Sequence, residues 1–332
     1  MPSRTGKRRV GIAGRGKTAG RGRTKLRGGA RRPLSSRPSP GQPPIPRPTM
    51  KSLLATAFAF LLVSTSCAAR ESSAAPSPAS KTVAQAEHAA DFDHTHALWD
   101  GILKSHVHGN SFDYAALAAD HADLDTYLDT LHAVTGEELG SWSREQRFAF
   151  WINAYNAHTI AKVIEHYPIS SIRKLDKNLG LTTVFEQPFI AMDELNPSGK
   201  HKPLSLNDIE HEILRKRFKD ARVHAAVNCA SASCPPLRAE AFVADRLDQQ
   251  LDQQMRAFVN DPTRNKIDPN KKKMRLSAIF DWFEGDFERD AGSVREYLVR
   301  WTPEGKHDFI RTAPISYKDY DWALNDVDKD NE

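Results

Sequence analysis

Apolar residues recur at helical spacing through most of the chain after residue 95, which predicts a mainly helical protein. In the first such stretch, Leu98, Trp99, Ile102 and Leu103 fall on one face. The predicted helices are Thr95–His106, Tyr114–Val134, Arg144–Tyr167, Leu206–Phe218, Ala239–Val259 and Ser293–Trp301.

The predicted helix Arg144–Tyr167 is apolar on nearly every side. Ser143 and Gln146 form a capping box at its start, and Pro168 marks its end. Because a helix without a polar face must be covered all round, we expect this helix and its Trp151 to lie in the core.

Two amides interrupt this apolar helix. Asn153 and Asn156 are three residues apart and therefore lie on one stripe. A buried amide needs hydrogen-bond partners. The two side chains either tie the helix to neighbouring backbone or contact a substrate, and the pattern leaves both alternatives open.

Strand-like alternation occurs in two places. Apolar and polar residues alternate over Arg222–Cys229, and a second strand is predicted over Ile315–Leu324. The first runs into the small-residue loop Ala230–Pro236, where another backbone or a ligand could approach closely. Cys229 falls on the apolar side of the alternation, so we expect it to point inward and Cys234 to be more accessible.

Together these elements predict a predominantly helical α+β fold with a small sheet and a cysteine-containing loop of small residues. Residues 87–332 contain no internal linker, so we expect them to form a single domain.

Three segments precede the predicted domain. Residues 1–49 are rich in Gly, Pro, Lys and Arg and have almost no large apolar residues. This predicts either a disordered basic tail or sequence upstream of a true start at Met50, and a nucleic-acid-binding arm is the functional alternative. Residues 70–86 are rich in Ser, Ala and Pro and predict a flexible tether.

Residues 50–69 are typical of an export signal. Lys51 precedes the apolar stretch Leu53–Val63, which is too short to span a bilayer comfortably, and small residues follow. Cys67 stands where bacterial lipoprotein signals carry their lipidated cysteine, and cleavage after Ala69 is the alternative. We therefore predict a location in the periplasm or on the cell envelope, with membrane contact only through a lipid anchor.

The charge distribution argues against nucleic-acid binding by the folded region. Residues 1–50 hold 14 Lys and Arg and no Asp or Glu. The rest of the chain holds the other 33 basic residues and all 42 acidic ones, a net charge of −9. The overall net charge of +5 therefore reflects the first segment alone.

Residues able to carry chemistry gather around the small-residue loop and the helix that precedes it. The candidate catalytic set is Cys234 as nucleophile, with Cys229 as its alternative, and His211 or His224 as base. Asn156 is the candidate group that orients the base, with Asn153 and Glu210 as alternatives. The candidate binding residues are Asn153, Glu210, Arg215, Asn228 and Ser231. No histidine spacing matches a known metal site, so we predict neither a metal nor a cofactor.

Several segments carry a family resemblance. In chain order they are Phe150–Ala157, Tyr167–Pro168, Ser171–Arg173, Leu204–His211, Leu214–Arg215, His224–Pro235, Ile279–Phe283 and Tyr320–Asn325. They resemble the domain of unknown function 547 family, with a departure at Asp193–Lys202, which is longer and more polar than the usual turn. The resemblance implies a stand-alone bacterial member behind an export signal and brings no established reaction.

Two classes of function remain open. The first is a cysteine-dependent hydrolase or acyl transferase acting on a peptide-like substrate, which needs a thiolate and a base close together. The second is a non-catalytic envelope domain that binds a ligand or partner and has a structural Cys229–Cys234 disulfide, since disulfides persist in oxidising compartments. Substrate, partner and oligomeric state are not predicted.

Overall fold

The computed structural model describes residues 91–327. The α-helices are α1 Ala97–His106, α2 Tyr114–Ala119, α3 Ala122–His132, α4 Gly136–Ser141, α5 Arg144–Ile164, α6 Val223–Ala226, α7 Leu247–Asn260, α8 Ile279–Trp282, α9 Glu284–Ala291, α10 Val294–Trp301 and α11 His307–Thr312. A π-helix spans Asp208–Phe218. The predicted tail, export signal and tether (residues 1–86, including Cys67) lie outside the described residues.

The strands are short and form two small sheets. They are β1 Val107–His108, β2 Ser111–Phe112, β3 Lys266–Asp268, β4 Lys273–Leu276 and β5 Ile315–Tyr317. Strands β1 and β2 pair antiparallel, as do β3 and β4, whereas β4 and β5 pair parallel. The predicted α+β class with mainly helical content is therefore confirmed.

Helix α5 is buried along most of its length. The predicted capping box is present, because Ser143 Oγ accepts the Gln146 N–H at 3.1 Å and Gln146 Oε1 accepts the Ser143 N–H at 2.8 Å. Trp151, Asn153 and Asn156 are all buried, as predicted. The prediction that this helix lies in the core, which was based on its lack of a polar face, is therefore confirmed.

The predicted strand Arg222–Cys229 is wrong. Residues Val223–Ala226 form one turn of helix, α6, and the chain then runs in irregular backbone through Cys229. Small residues such as Ala225 and Ala226 fit a helical turn as readily as a strand, so the alternation did not decide between them. The predicted strand Ile315–Leu324 is present only in its first three residues, as β5.

Three other predictions need correction. The predicted helix Ala239–Val259 begins only at Leu247, because the N–H and carbonyl of Phe242 bond to Asn153 instead of to a helical turn. The predicted helix Tyr114–Val134 is broken at Asp120, whose backbone is extended, because residues 118–121 offer no large apolar side chain to bury. The predicted helix Leu206–Phe218 is the π-helix, although its predicted cap is present: Asp208 N–H donates to Ser205 Oγ at 3.1 Å.

Two hydrophobic clusters share helices α6 and α7. Leu247 and Leu251 of α7 belong to the cluster around α5, while Met255 and Phe258 of the same helix pack with the C-terminal helices. The side chains of helix α6 are likewise shared between the two clusters, and the cysteine loop follows the C-terminal end of this helix. Within residues 91–327, no helix is long and apolar enough to cross a membrane.

We predict that Trp151→Ala lowers the free energy of unfolding by about 3–5 kcal/mol, because it empties a large volume inside a packed core. Leu98→Ala, at a side chain that is 38% exposed, should cost much less. Denaturant titration of both variants measures the difference, and a midpoint for Trp151→Ala close to wild type would contradict the buried position of α5.

Candidate functional site

Two amides of α5 each hold a distant segment of backbone. Asn156 Nδ2 donates to the Ala226 carbonyl at 3.0 Å, and its Oδ1 accepts the Asn228 N–H at 2.8 Å. Asn153 makes the same pair of bonds with the N–H and carbonyl of Phe242. These contacts favour the backbone-tying alternative for both side chains, since each uses a donor and an acceptor in this way.

The Asn228 side chain continues this connection into the cysteine loop. Its Oδ1 accepts the Ala230 N–H at 2.8 Å, and its Nδ2 donates to the Pro235 carbonyl at 2.8 Å. Ala230 has a φ of 59°, a left-handed conformation that a non-glycine residue adopts only under constraint. The asparagine therefore holds both ends of the loop and keeps its turn tight.

The turn brings the two cysteines together. Their Sγ atoms lie 2.6 Å apart, and the Cys229 N–H donates to Cys234 Sγ at 3.0 Å. The Cys234 N–H donates to the Ser231 carbonyl at 3.1 Å, which draws the second cysteine inward. Both cysteines are thiols in this structure, and the distance between their sulfurs allows a disulfide with little backbone movement.

The expected order of exposure is reversed. Cys234 is buried, with 4% of its surface exposed, whereas Cys229 is only partly buried. The expectation depended on a strand whose alternation would turn Cys229 inward, and that strand is absent. The carbonyl of Cys234 also accepts a hydrogen bond from Arg264 Nε at 2.5 Å, which holds this end of the loop against the domain.

The hydroxyl of Tyr320 lies over the cysteine pair. It lies 3.1 Å from Cys229 Sγ, donates to Cys234 Sγ at 3.3 Å and accepts a hydrogen bond from Ser231 Oγ at 2.9 Å. Burial raises the pKa of Tyr320 well above its ordinary value, and the two neighbouring cysteines add to the effect. The phenol therefore stays protonated and can donate to a thiolate.

The two cysteines differ in acidity. Burial alone would raise the pKa of Cys234, but hydrogen bonds from Cys229, Tyr320 and Ser231 lower it to about 7. Burial and the adjoining Cys234 raise the pKa of Cys229 well above its ordinary value. If the pair is reduced, Cys234 is the thiol that ionises near neutral pH.

A second polar group surrounds Asp286 on α9. Its Oδ2 accepts hydrogen bonds from His224 Nε2 at 2.8 Å and Arg215 Nε at 2.6 Å, and its Oδ1 accepts one from Arg289 at 2.8 Å. Burial would raise the pKa of Asp286, but the hydrogen bonds from His224 and Arg215 lower it far below its ordinary value. Burial lowers the pKa of His224, which favours its neutral form.

The candidate base His211 joins this polar group through its neighbours on the π-helix. Arg215 Nη1 donates to His211 Nδ1 at 3.1 Å, and Glu210 Oε1 lies 3.9 Å from the same nitrogen. Glu210 Oε2 also accepts a hydrogen bond from the Tyr155 hydroxyl at 3.1 Å. His211 thus acts as an acceptor here and is only partly buried.

The Tyr155 hydroxyl is influenced electrostatically both by Glu210, beside the Asp286 group, and by the cysteine pair. Burial raises its pKa well above the ordinary value, and the charge of Glu210 and both cysteines raises it further. Even so, no hydrogen bond within residues 91–327 joins either sulfur to His211 or His224. The structure therefore brings the cysteines to each other and to Tyr320, and leaves both candidate bases with other partners.

Four residues that form these contacts were not among the predicted site residues. Asp286 and Arg264 lie far along the chain from the residues they contact, which are His224 and Arg215 for Asp286 and Cys234 for Arg264, and no local pattern marks them. Tyr320 and Tyr155 belong to segments that resemble the family, and this resemblance could have pointed to both residues. No group of three or more His, Cys, Asp or Glu side chains among the described residues is placed to hold a metal ion.

One family model matches the chain. Residues 139–259 match the model described as "Protein of unknown function, DUF547", a range that includes both asparagines of α5, the π-helix and the cysteine loop. The DUF547 assignment predicted from the sequence is therefore supported over residues 139–259. The DUF547 match ends before Asp286 and Tyr320, so these two contributors lie outside it. No curated protein and no solved structure matches the chain.

We predict that reduced protein shows its first thiolate near pH 7, measured by ultraviolet thiolate absorbance during a pH titration. Tyr320→Phe should raise that pKa towards the ordinary value for a thiol, because it removes a donor to the thiolate. Tyr297→Phe is the control, since the Tyr297 hydroxyl is buried away from the loop. An equal pKa in all three proteins would contradict the role of Tyr320.

Proposed function

We propose that this chain is an exported protein of the bacterial cell envelope that binds a ligand or partner, with Cys229 and Cys234 joined as a structural disulfide. The observation that supports the disulfide is the 2.6 Å distance between the sulfurs, combined with the hydrogen bonding of both candidate bases to groups other than cysteine. Export is supported by the apolar stretch Leu53–Val63 and the small residues that follow it.

Oxidation of the pair requires a partner. Joining the two sulfurs removes two protons and two electrons from the thiols, and thiol–disulfide exchange with another envelope disulfide takes them up. Because the closed loop is short, the chain-entropy model gives a stabilisation of only about 2 kcal/mol. We therefore assign the bond a local task, which is to keep the loop in one conformation beside the binding surface.

The binding surface is the aromatic patch of Trp282, Tyr320 and Trp322. These three side chains are only partly buried, and Tyr320 contacts both tryptophans at ring-centroid distances of 4.7 and 4.6 Å. Arg173 places its guanidinium 5.1 Å from the Trp322 ring centroid. Tryptophan, tyrosine and arginine dominate the residues that contribute most to binding in protein interfaces, which supports a binding role.

Polar side chains beside the aromatic patch can orient a bound ligand or partner. Phe283 follows Trp282 in the chain, and its ring stacks on His224 at 4.0 Å and lies under the Arg215 guanidinium at 4.7 Å. His211 and Glu210 are neighbours of that arginine and are partly buried. The candidate binding residues Glu210 and Arg215 would thus lie at the edge of the patch, whereas Asn153 and Asn228 support backbone.

The pKa of Cys234 supports a second candidate, a cysteine-dependent hydrolase or acyl transferase acting on a peptide-like substrate. The Cys234 thiolate would attack the substrate carbonyl carbon, forming a carbon–sulfur bond while the carbon–nitrogen bond breaks and the leaving amine takes a proton from solvent. Water or a second amine would then break that bond and release the thiol. This candidate needs the loop to open, because Cys234 is almost fully buried.

One expression experiment tests the proposal. We expect the chain started at Met50 to be found in the envelope fraction of a bacterial host, with its signal cleaved. Intact mass after alkylation in denaturant, without reduction, should show Cys229 and Cys234 unmodified, because a disulfide leaves no thiol to alkylate even when the chain is unfolded. A radioactive fatty acid should label wild type and not Cys67→Ala if Cys67 is the anchor.

The Cys229→Ser variant is the control, since it leaves Cys234 as an alkylatable thiol. Uncleaved protein confined to the cytoplasm would refute export. Envelope protein with both thiols alkylated would refute the disulfide and favour the cysteine-dependent enzyme.

A further inference from the structure

One loop presents two large apolar side chains to solvent. Within residues 91–327, the exposed large apolar side chains are Leu98, Leu179 and Leu181, and two of these share the segment 177–182, here called the Leu179 loop. Leu179 is 105% exposed and Leu181 is 71% exposed, against 38% for Leu98. A single exposed leucine is ordinary, but two strongly exposed ones on one loop favour a binding surface.

The conformation of the Leu179 loop is constrained. The Lys177 N–H donates to the Thr182 carbonyl at 2.8 Å, and the Leu181 N–H donates to the Asn178 carbonyl at 3.1 Å. Asn178 and Leu179 have φ values of 54° and 57°, a left-handed backbone that is unfavourable for leucine. Such conformations persist only where surrounding contacts impose them, so the outward position of Leu179 is built into the loop.

Two cations flank this apolar tip, and no carboxylate within residues 91–327 forms an ion pair with either of them. Lys174 and Lys177 are exposed. Asp176, which lies between these lysines in the chain, is occupied, because it pairs with Arg173 at 2.5 Å and accepts the Val184 N–H at 2.8 Å. The loop therefore combines an apolar tip with positive charge at its base.

We propose that the Leu179 loop docks on an anionic lipid surface, with Leu179 and Leu181 entering the interfacial region and Lys174 and Lys177 contacting lipid phosphates. Apolar side chains that enter the acyl boundary and lysines that reach the headgroups together define an interfacial attachment. The inference rests on the proposed envelope location, which would keep the domain close to a bilayer.

A second copy of this chain is the weaker alternative occupant. A stable protein interface takes about 20–30 residues from each partner. The Leu179 loop offers five exposed residues, Lys177–Leu181, which is too few for a dimer but enough for a lipid contact.

Docking at this loop would also place the aromatic patch near the bilayer. Arg173, at the base of the loop, lies against Trp322, and Phe185 on its other side contacts the same ring at 5.9 Å. The proposed ligand surface would therefore face the space next to the membrane.

Hydrogen exchange with mass spectrometry tests the docking on the full-length chain. The purified protein is mixed with phosphatidylethanolamine–phosphatidylglycerol vesicles, and exchange is followed in peptides covering residues 174–186. We expect exchange in these peptides to slow at least about tenfold on the vesicles, because docking shields loop amides from water. The double variant Leu179→Ser with Leu181→Ser should lose this slowing, and the control Leu98→Ser should keep it.

Two outcomes would overturn the inference. The first is unchanged exchange in the loop peptides, either because the chain binds the vesicles through another segment or because it does not bind them. Slowing without vesicles that grows with protein concentration would assign the loop to a second copy of the chain instead. Because vesicles are added to purified protein, these outcomes are independent of where the cell places the protein.

Discussion

The arrangement of the candidate site depends on two buried amides of helix α5. Asn153 and Asn156 each pair one donor and one acceptor with the backbone of a segment about 70 to 90 residues further along the chain. An unpaired amide at these positions would carry the full cost of burial without a partner, so the segments are held firmly. Through Asn228, the contact of Asn156 extends to both ends of the cysteine loop.

This constraint decides which side chains can react with one another. With the loop fixed, the two sulfurs meet each other beneath Tyr320, and the imidazoles of His211 and His224 stay with Arg215 and Asp286. The same geometry lowers the pKa of Cys234. The reduced pair could therefore supply a nucleophilic thiolate, whereas the disulfide could not. The redox state of the loop thus separates the two candidate functions.

The sequence predicted those features that depend on local pattern. Helix α5 was recognisable because its cap, its stop and its all-round apolar surface agree over many residues. Helix α6 was not, because one turn is too short to show a helical period and its small residues suit a strand equally well. Asp286 reaches its partners only through the packing of α9, which no pattern near His224 or Arg215 could indicate.

The equilibrium between the Cys229–Cys234 disulfide and glutathione, measured on the purified full-length chain, tests most directly whether Asn156 holds the cysteine loop. The matched pair of variants is Asn156→Ala and Asn153→Ala, since each removes a buried amide from α5 but only the first is connected to the loop, through Asn228. The account predicts that Asn156→Ala lowers the equilibrium constant for disulfide formation at least about tenfold, equal to about 1.4 kcal/mol, while Asn153→Ala leaves it close to wild type. Equal constants in the two folded variants would contradict it.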